Sequence, residues 1–152
     1  FERDEFVVGV PIAGHVNISD SMVGNCVNLL PFIVQANSDT KEFIANLKNY
    51  QLESFKNSEI SYEEVKEALE DDPIEIVLNV EPINELPEFG QLKADLMTFP
   101  SYASEYPIYI NVMKIGQKIN LTIDYQFCSF KNSEEANSFA ENLIQALKNL
   151  VN

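Results

Sequence analysis

The sequence predicts a mixed α/β fold in which helices cover one face of a sheet. Three observations predict it: continuous apolar runs near the start, alternating apolar and polar runs further on, and segments whose apolar residues recur with helical spacing. Their order is strand, strand, helix, helix, strand, loop, hairpin, helix. With 152 residues, the chain can bury a core without metals or disulfides, so we expect one domain built as a two-layer sandwich.

Two strands open the chain. Residues 5–12 (EFVVGVPI) form a Val-rich apolar run that a proline and a glycine close, as is typical of a buried strand. Residues 27–34 (VNLLPFIV) form a second run, which contains Pro31. Proline has no N–H for a central ladder position, so we expect this strand at an edge or with a bulge.

Two helices follow. Residues 39–42 (DTKE) resemble a capping box, and apolar residues then recur at helical spacing, which predicts a helix over residues 40–55. A second box at residues 61–64 (SYEE) opens a short helix. This helix ends at residues 71–73 (DDP), because the residue before a proline disfavours helical backbone.

The second half begins with a strand. Residues 74–80 alternate apolar and polar side chains, the period of a half-buried strand. Residues 81–104 carry three prolines and predict a long loop, with a short strand at residues 94–97 as an option. Alternating runs at residues 108–112 and 119–123 predict a hairpin.

The last element is an amphipathic helix. Asn132 and Glu135 can form its capping box. The apolar stripe that follows has helical spacing and consists of Ala136, Phe139, Ala140, Leu143, Ile144, Leu147, Leu150 and Val151.

Charge and composition exclude two classes of partner. Ten Lys and Arg stand against 24 Asp and Glu, a formal charge of −14, and such a chain repels the phosphates of nucleic acids and of anionic membranes. No apolar run approaches the roughly 20 residues of a membrane-spanning helix, and no secretory signal is visible. We therefore expect a cytoplasmic location. Because the chain begins without Met, directly upstream of an apolar run, we also expect it to be part of a longer protein.

The sequence contains no self-contained catalytic motif. The glycines are too scattered for a phosphate loop, and the single histidine, His15, has no serine or cysteine motif around it. Cys26 and Cys128 lie in apolar segments without CxxC spacing, so we expect buried thiols and neither a metal site nor a disulfide. The acidic residues between positions 53 and 72 fit no calcium loop and predict a solvated helix face.

Two linked motifs carry a resemblance to a known family. Residues 7–15 (VVGVPIAGH) precede residues 22–31 (MVGNCVNLLP). This pair resembles the "vvGtPiaGR" and "MvGfFVNtlplR" motifs in the C-terminal lobe of nonribosomal peptide synthetase condensation domains. Residues 59–65, 106–112 and 121–130 are similar to later motifs of that lobe, so the resemblance covers nearly the whole chain.

The resemblance implies a single lobe with the chloramphenicol-acetyltransferase-like fold. In that family two lobes form a tunnel that receives acyl and aminoacyl thioesters on the 4'-phosphopantetheine arms of carrier domains, and an amine attacks the thioester to form a peptide bond. The catalytic histidine belongs to an HHxxxDG motif of the N-terminal lobe, and this chain has no His-His pair. We therefore expect no catalytic residue, no bound cofactor or metal, and no activity of this chain alone. Its expected partners are the N-terminal lobe and acyl or peptidyl carrier domains.

Four residues at the matching motifs are candidates for the tunnel wall or the contact between lobes: Gly14, His15, Gly24 and Asn28. Gly14 permits a tight backbone turn at the end of a strand. Asn28 places an amide in an apolar strand, so it either ties down backbone or faces the tunnel. His15 takes the place of the family's Arg, which pairs with the Asp of HHxxxDG. Since histidine lacks a permanent charge and a planar fork, the contact between lobes should be weaker or pH-sensitive here.

Departures from the family pattern leave three functions open. Residues 57–63 match the family motif "HQDlPFE" only at its last two positions, an aromatic and an acidic residue. Residues 70–74 are a shortened version of the motif "RDxSRNPL", and Cys26 and Leu29 stand where the family has Phe and Thr. The first function is peptide-bond formation in a synthetase. The second is acyl transfer from coenzyme A thioesters to a small alcohol or amine. The third is a non-catalytic docking domain. In each case, a lobe separated from its partner should expose apolar surface along residues 27–34 or 81–107 and self-associate.

Overall fold

Apolar runs form five strands and amphipathic segments form three helices among the residues that the structure describes. The computed structural model of the protein describes residues 4–13, 24, 27–35, 40–81, 89–92, 97, 99 and 103–151, with only the backbone of Ala13 and Val151. Two compact units divide the chain, Phe1–Asn79 and Val80–Asn152. The single domain expected from the sequence stays a prediction.

The sheet of the first unit is mixed. Strand β1 (Glu5–Ala13) runs antiparallel to β2 (Val27–Gln35), with Gly9 opposite Pro31. On its other side β1 pairs in parallel with β3 (Ile74–Glu81). The register of this pair shifts by one residue between Val7, which pairs with Ile74, and Val8, which pairs with Ile76. The order in this unit is β2-β1-β3, which puts Pro31 on an edge strand as its missing N–H predicts.

Gly9 is required by a close approach within this sheet. A Cβ at this position would lie 2.7 Å from Cδ1 of Ile74, closer than real Cβ atoms approach another atom, and 3.1 Å from Cγ of Leu29, which is tighter than most such contacts. Because glycine has no Cβ, the neighbouring side chains pack directly over the backbone of β1.

Two helices of the first unit contact β2. Helix α1 (Thr40–Lys56) has no buried side chain, and the ring of its Tyr50 lies 5.9 Å from that of Phe32. Helix α2 (Tyr62–Leu69) begins with the predicted capping box of Ser61 and Glu64 and ends at Glu70 in left-handed backbone. The most deeply buried apolar residues of this unit are Leu30, Phe32, Tyr62, Ile74 and Val77.

The second unit contains the predicted hairpin. Strands β4 (Ile108–Ile115) and β5 (Lys118–Tyr125) pair antiparallel along their full length. Gly116 opens the two-residue connection with φ +58, the first position of a type II′ turn, where glycine is preferred. Ile108 and Ile110 are the buried residues of β4.

Helix α3 (Ser133–Val151) joins the end of β5 through aromatic contacts. The ring of Phe130 lies 5.0 Å from that of Tyr125 and 5.5 Å from that of Phe139. Asn132 caps the Glu135 N–H at 2.9 Å, as predicted, but the Glu135 carboxylate accepts from the Lys131 N–H at 2.6 Å. In a regular capping box the Glu135 carboxylate would accept the N–H of the capping residue Asn132. Here it binds the N–H of the preceding residue, Lys131.

The predicted elements are confirmed with ends shifted by a few residues at most. One expectation at the side-chain level is wrong. Cys128 is exposed because it lies in the turn after β5 and not in the strand. The apolar stripe of α3 is half-buried only up to Leu143, and its later members Ile144, Leu147 and Leu150 are exposed.

Other expectations fall outside the described residues: Cys26, the capping box at Asp39, and residues 94–96 of the optional strand. Met97, the last residue of that option, is exposed and not part of a strand. No helix within the described ranges is long and apolar enough to cross a membrane.

Candidate functional site

The candidate site lies around the beginning of β2, and the structure describes two of its four predicted residues. Gly14 and His15 lie outside the described residues. Gly24 is exposed at a bend, with no atom within 4 Å of the place a Cβ would take. Asn28 is 8% exposed. Of the two described candidates, its side chain makes hydrogen bonds to other parts of the chain.

The Asn28 side chain is fully used by backbone groups. Its Nδ2 donates to the carbonyls of Ser58 at 3.1 Å and Ile60 at 2.9 Å. Its Oδ1 accepts the N–H of Leu29 at 2.9 Å and of Tyr62 at 3.0 Å. A carboxamide has two donors and one oxygen with two acceptor sites, so no capacity is left over. The described contacts therefore show Asn28 tying down backbone, and its location at a tunnel stays a prediction.

The backbone groups that Asn28 binds belong to the turn between α1 and α2 and to the first residue of α2. The turn between α1 and α2 is closed by the N–H of Ile60, which donates to Asn57 O at 3.1 Å. Tyr62 is the first residue of α2, and its N–H has no acceptor within the helix because it belongs to the first turn. Asn28 supplies that acceptor from another element and so joins β2 to α2.

A second set of contacts joins α2 to β3. The Tyr62 hydroxyl donates a hydrogen bond to Asp72 Oδ1, which also accepts the Ile74 N–H at 3.3 Å. Lys66 Nζ lies 3.8 Å from Asp72 Oδ2, 3.0 Å from Glu63 Oε1 and 5.5 Å above the Tyr62 ring. Tyr62 thus links the three elements: its backbone N–H binds Asn28 of β2, and its hydroxyl binds Asp72 just before β3.

Sequence reasoning did not find the roles of Tyr62 and Asp72. Two signals were present: the aromatic and acidic pair Tyr62-Glu63 is what remains of a family motif, and Asp72 directly precedes Pro73 at the start of β3. Neither signal identifies the partner. Tyr62 and Asp72 are ten residues apart, and no helical or strand period brings them together.

The described residues include no histidine and no group of three or more His, Cys, Asp or Glu that could hold a metal ion. Hydrogen bonds from the backbone and side chain of Ser61 lower the pKa of Glu64, which is an effect of helix capping. The acidic side chains of α2 and its flanks are exposed, as a solvated helix face requires.

Comparison with known proteins identifies the family. The condensation domain model matches residues 2–152, so the chain belongs to the condensation domain family. The family predicted from the paired motifs is confirmed.

Solved structures share the fold. A mutant of the starter condensation domain of the rhizomide synthetase RzmA has a TM-score of 0.73 at 13% identity and matches 94% of this chain. A chain of the complex of the X-domain and OxyB from teicoplanin biosynthesis has a TM-score of 0.76 at 16% identity over 97% of this chain. The condensation domain of the monacolin K polyketide synthase MokA has a TM-score of 0.71 at 16% identity over 93%.

These structures confirm the predicted fold class, mixed α/β of the chloramphenicol-acetyltransferase-like type. This chain spans 36%, 35% and 36% of the three solved chains, about one third of their length.

Proposed function

We propose that the chain is the C-terminal lobe of a nonribosomal peptide synthetase condensation domain that forms peptide bonds between carrier-bound thioesters. The observation that carries the proposal is the family match over residues 2–152 in a chain one third as long as its solved relatives. The order of the motifs at residues 7–15 and 22–31 supports the assignment to the C-terminal lobe.

In the proposed reaction an acceptor amine attacks the carbonyl carbon of the donor thioester. A C–N bond forms, the C–S bond breaks, and the thiol of the donor's phosphopantetheine arm leaves. The amine loses its proton to a base, and the described part of this chain offers no histidine for that step. We assign the base to the HHxxxDG motif of the other lobe. Both arms belong to carrier domains, so this lobe needs no cofactor of its own.

The contribution of this lobe is positional. The Asn28 contacts fix the beginning of β2 against the turn between α1 and α2. The segment directly before β2 holds the predicted tunnel and inter-lobe residues Gly14, His15 and Gly24.

The test is condensation by the complete polypeptide that carries this chain. Donor and acceptor carrier domains are loaded with acyl and aminoacyl groups, and the acceptor carrier is weighed intact by mass spectrometry. We expect the donor acyl group to appear on the acceptor carrier with the complete polypeptide and not with residues 1–152 alone. A complete, folded polypeptide that gives no transfer from the loaded donor carrier would contradict the proposal.

A second candidate function is a non-catalytic docking domain. One observation favours it: the fold also matches a chain of the X-domain and OxyB complex with a TM-score of 0.76, and that complex joins the X-domain to another protein. The same assay separates the candidates. Transfer only from acyl-coenzyme A would instead identify the coenzyme A dependent transferase. No transfer in any arm, together with stable binding of a neighbouring protein, would identify docking.

A further inference from the structure

A small pocket in the second unit has a chemical character that the proposed function does not use. It has a volume of about 250 Å³ and lies between the segment before β4 and the β4–β5 hairpin. Its lining consists of Ala103, Ser104, Glu105, Tyr106, Tyr109 and Asp124. Tyr109 and Asp124 are direct cross-strand partners, so their side chains leave the hairpin on the same face.

The walls of this pocket are held by hydrogen bonds to the turn after β5. Gln126 Nε2 donates to the carbonyls of Ser104 at 3.3 Å and Glu105 at 3.0 Å. The Ser129 hydroxyl and the Gln126 N–H both donate to Pro107 O, at 2.6 Å and 3.0 Å. The Ser104 hydroxyl closes the segment on itself through Tyr106 O at 2.6 Å. The pocket is therefore preformed.

The electrostatics of the pocket favour a positive charge. Asp124 is half-buried, and within the described ranges neither its carboxylate nor that of Glu105 has a hydrogen bond or an ion pair. Both acidic residues line the same pocket, and a bound cation would be attracted by their negative charges. Two tyrosine rings line the same space, and aromatic faces attract cations.

The composition distinguishes an organic cation from a metal ion. Metal sites for hard cations need about six oxygen ligands, whereas the described residues contain no group of three or more candidate ligands. Aromatic rings contribute to binding a cation that carries methylene groups. We propose that this pocket binds a primary alkylammonium group, either a free amine or the side chain of a lysine in a partner protein. The inference does not depend on the proposed condensation activity.

The test is an NMR titration of the 152-residue chain with n-butylammonium chloride at constant ionic strength. We expect saturable binding in the millimolar range, as a ligand of this size allows, with amide shifts confined to residues 103–109 and 122–126. n-Butanol, which has the same shape without the charge, should leave these amides unchanged. Shifts spread over the acidic surface would overturn the proposal.

Matched variants distinguish binding in the pocket from non-specific attraction of the cation to the acidic chain. Asp124→Asn and Tyr109→Leu should each weaken binding at least about fivefold, while Tyr109→Phe keeps the ring and should retain most of the affinity. Glu141→Gln removes the same charge from the exposed surface of α3 and should have no effect. Circular dichroism confirms that each variant is folded. Binding that survives both Asp124→Asn and Tyr109→Leu would overturn the proposal.

A second probe identifies the source of the amine. N-acetyl-lysine methylamide presents the ammonium group on a blocked side chain. If it binds like n-butylammonium, the pocket accepts a lysine of a partner protein. If only n-butylammonium binds, the ligand is a small free amine. If neither shifts the pocket amides, the proposal fails.

Discussion

At the scale of single residues, Gly9 lies where neighbouring side chains pack closely over the backbone of β1. We expect Gly9→Ala to lower the free energy of unfolding by about 1–3 kcal/mol, because its Cβ would lie 2.7 Å from Ile74 Cδ1 in a well-packed core. The measurement is urea denaturation of the 152-residue chain. An Ile74→Val background lacks that methyl group and should reduce the loss caused by Gly9→Ala.

Gly24→Ala is the matched control for Gly9→Ala. A Cβ at Gly24 would have no atom within 4 Å, so this substitution should change the free energy of unfolding by less than about 0.5 kcal/mol. Equal losses at the two glycines, or no relief in the Ile74→Val background, would contradict the close approach at Gly9.

Asn28 carries the second residue-scale prediction. Asn28→Ala leaves the Tyr62 N–H and two carbonyls of the α1–α2 turn without their partner, which should cost at least about 2 kcal/mol. Urea denaturation measures the loss, and the exposed Asn46→Ala on α1 is the control. If both substitutions cost the same, Asn28 does not tie β2 to α2.

The limit of sequence reasoning is visible at Asn28. A carboxamide in an apolar strand was predicted to need partners, and the structure confirms that need. The sequence left open whether backbone or tunnel supplies them. The partners lie 30 to 34 residues further along the chain, in a turn whose geometry no local pattern specifies. Gly14 and His15 were chosen through the family motif, and their placement stays a prediction.

At the scale of elements, the cap of α2 gives a pH-dependent prediction. The Ser61 hydrogen bonds lower the pKa of Glu64 below its usual 4.5, so the ionised carboxylate stabilises the folded state. This contribution is fully present above pH 4.5 and is lost as the pH falls through the lowered pKa. The stability difference between the wild type and Glu64→Gln should therefore be present at pH 7 and shrink as the solution is acidified below pH 4.5.

Denaturation at a series of pH values measures this difference, and Glu141→Gln on α3 corrects for the general loss of a charge. Ser61→Ala removes the cap itself and should cost about 1 kcal/mol. A Glu64→Gln difference that does not change with pH would show that the capping box does not stabilise the helix through the charge.

Helical periodicity identified which face of each helix is apolar but not how much of that face is covered. In α3 the stripe is half-buried through Leu143, beside the aromatic contacts of Phe130 and Phe139, and its last turns are exposed. In α1 no side chain is buried, although its apolar spacing was correct. Spacing is a local property, whereas burial depends on the extent of the surface that a helix meets.

At the scale of the whole molecule, exposed apolar side chains predict self-association of the chain by itself. The predicted loop contributes Phe89, Leu92, Met97 and Phe99, the last 79% exposed, and the turn after β5 contributes Phe127 at 96%. Large apolar side chains exposed to this extent favour contact with another surface. Analytical ultracentrifugation of residues 1–152 should show a concentration-dependent rise in average mass.

The double variant Phe99→Ser and Phe127→Ser should reduce this rise, with the exposed Asn46→Ser as the control. A strictly monomeric wild type at high concentration would contradict the prediction.

The element order and the family could be predicted because two kinds of sequence pattern agree. Strand and helix periods gave the element order, and the paired motifs gave the family, whose fold the solved structures share. The hydrogen bonds of Tyr62 to Asn28 and Asp72 and the pocket at Asp124 could not be predicted. Each depends on side chains that tertiary contacts or strand register bring together.

The central claim is that this chain is one lobe of a catalytic condensation domain whose histidine motif lies in the other lobe. The most direct measurement is to sequence the encoding DNA for about 250 codons upstream of Phe1, the length of one or two domain-sized lobes. We expect an in-frame HHxxxDG motif between strand-like and helix-like segments. An immediate start codon, or an upstream lobe that lacks the second histidine, would contradict the claim and leave the docking domain as the better account.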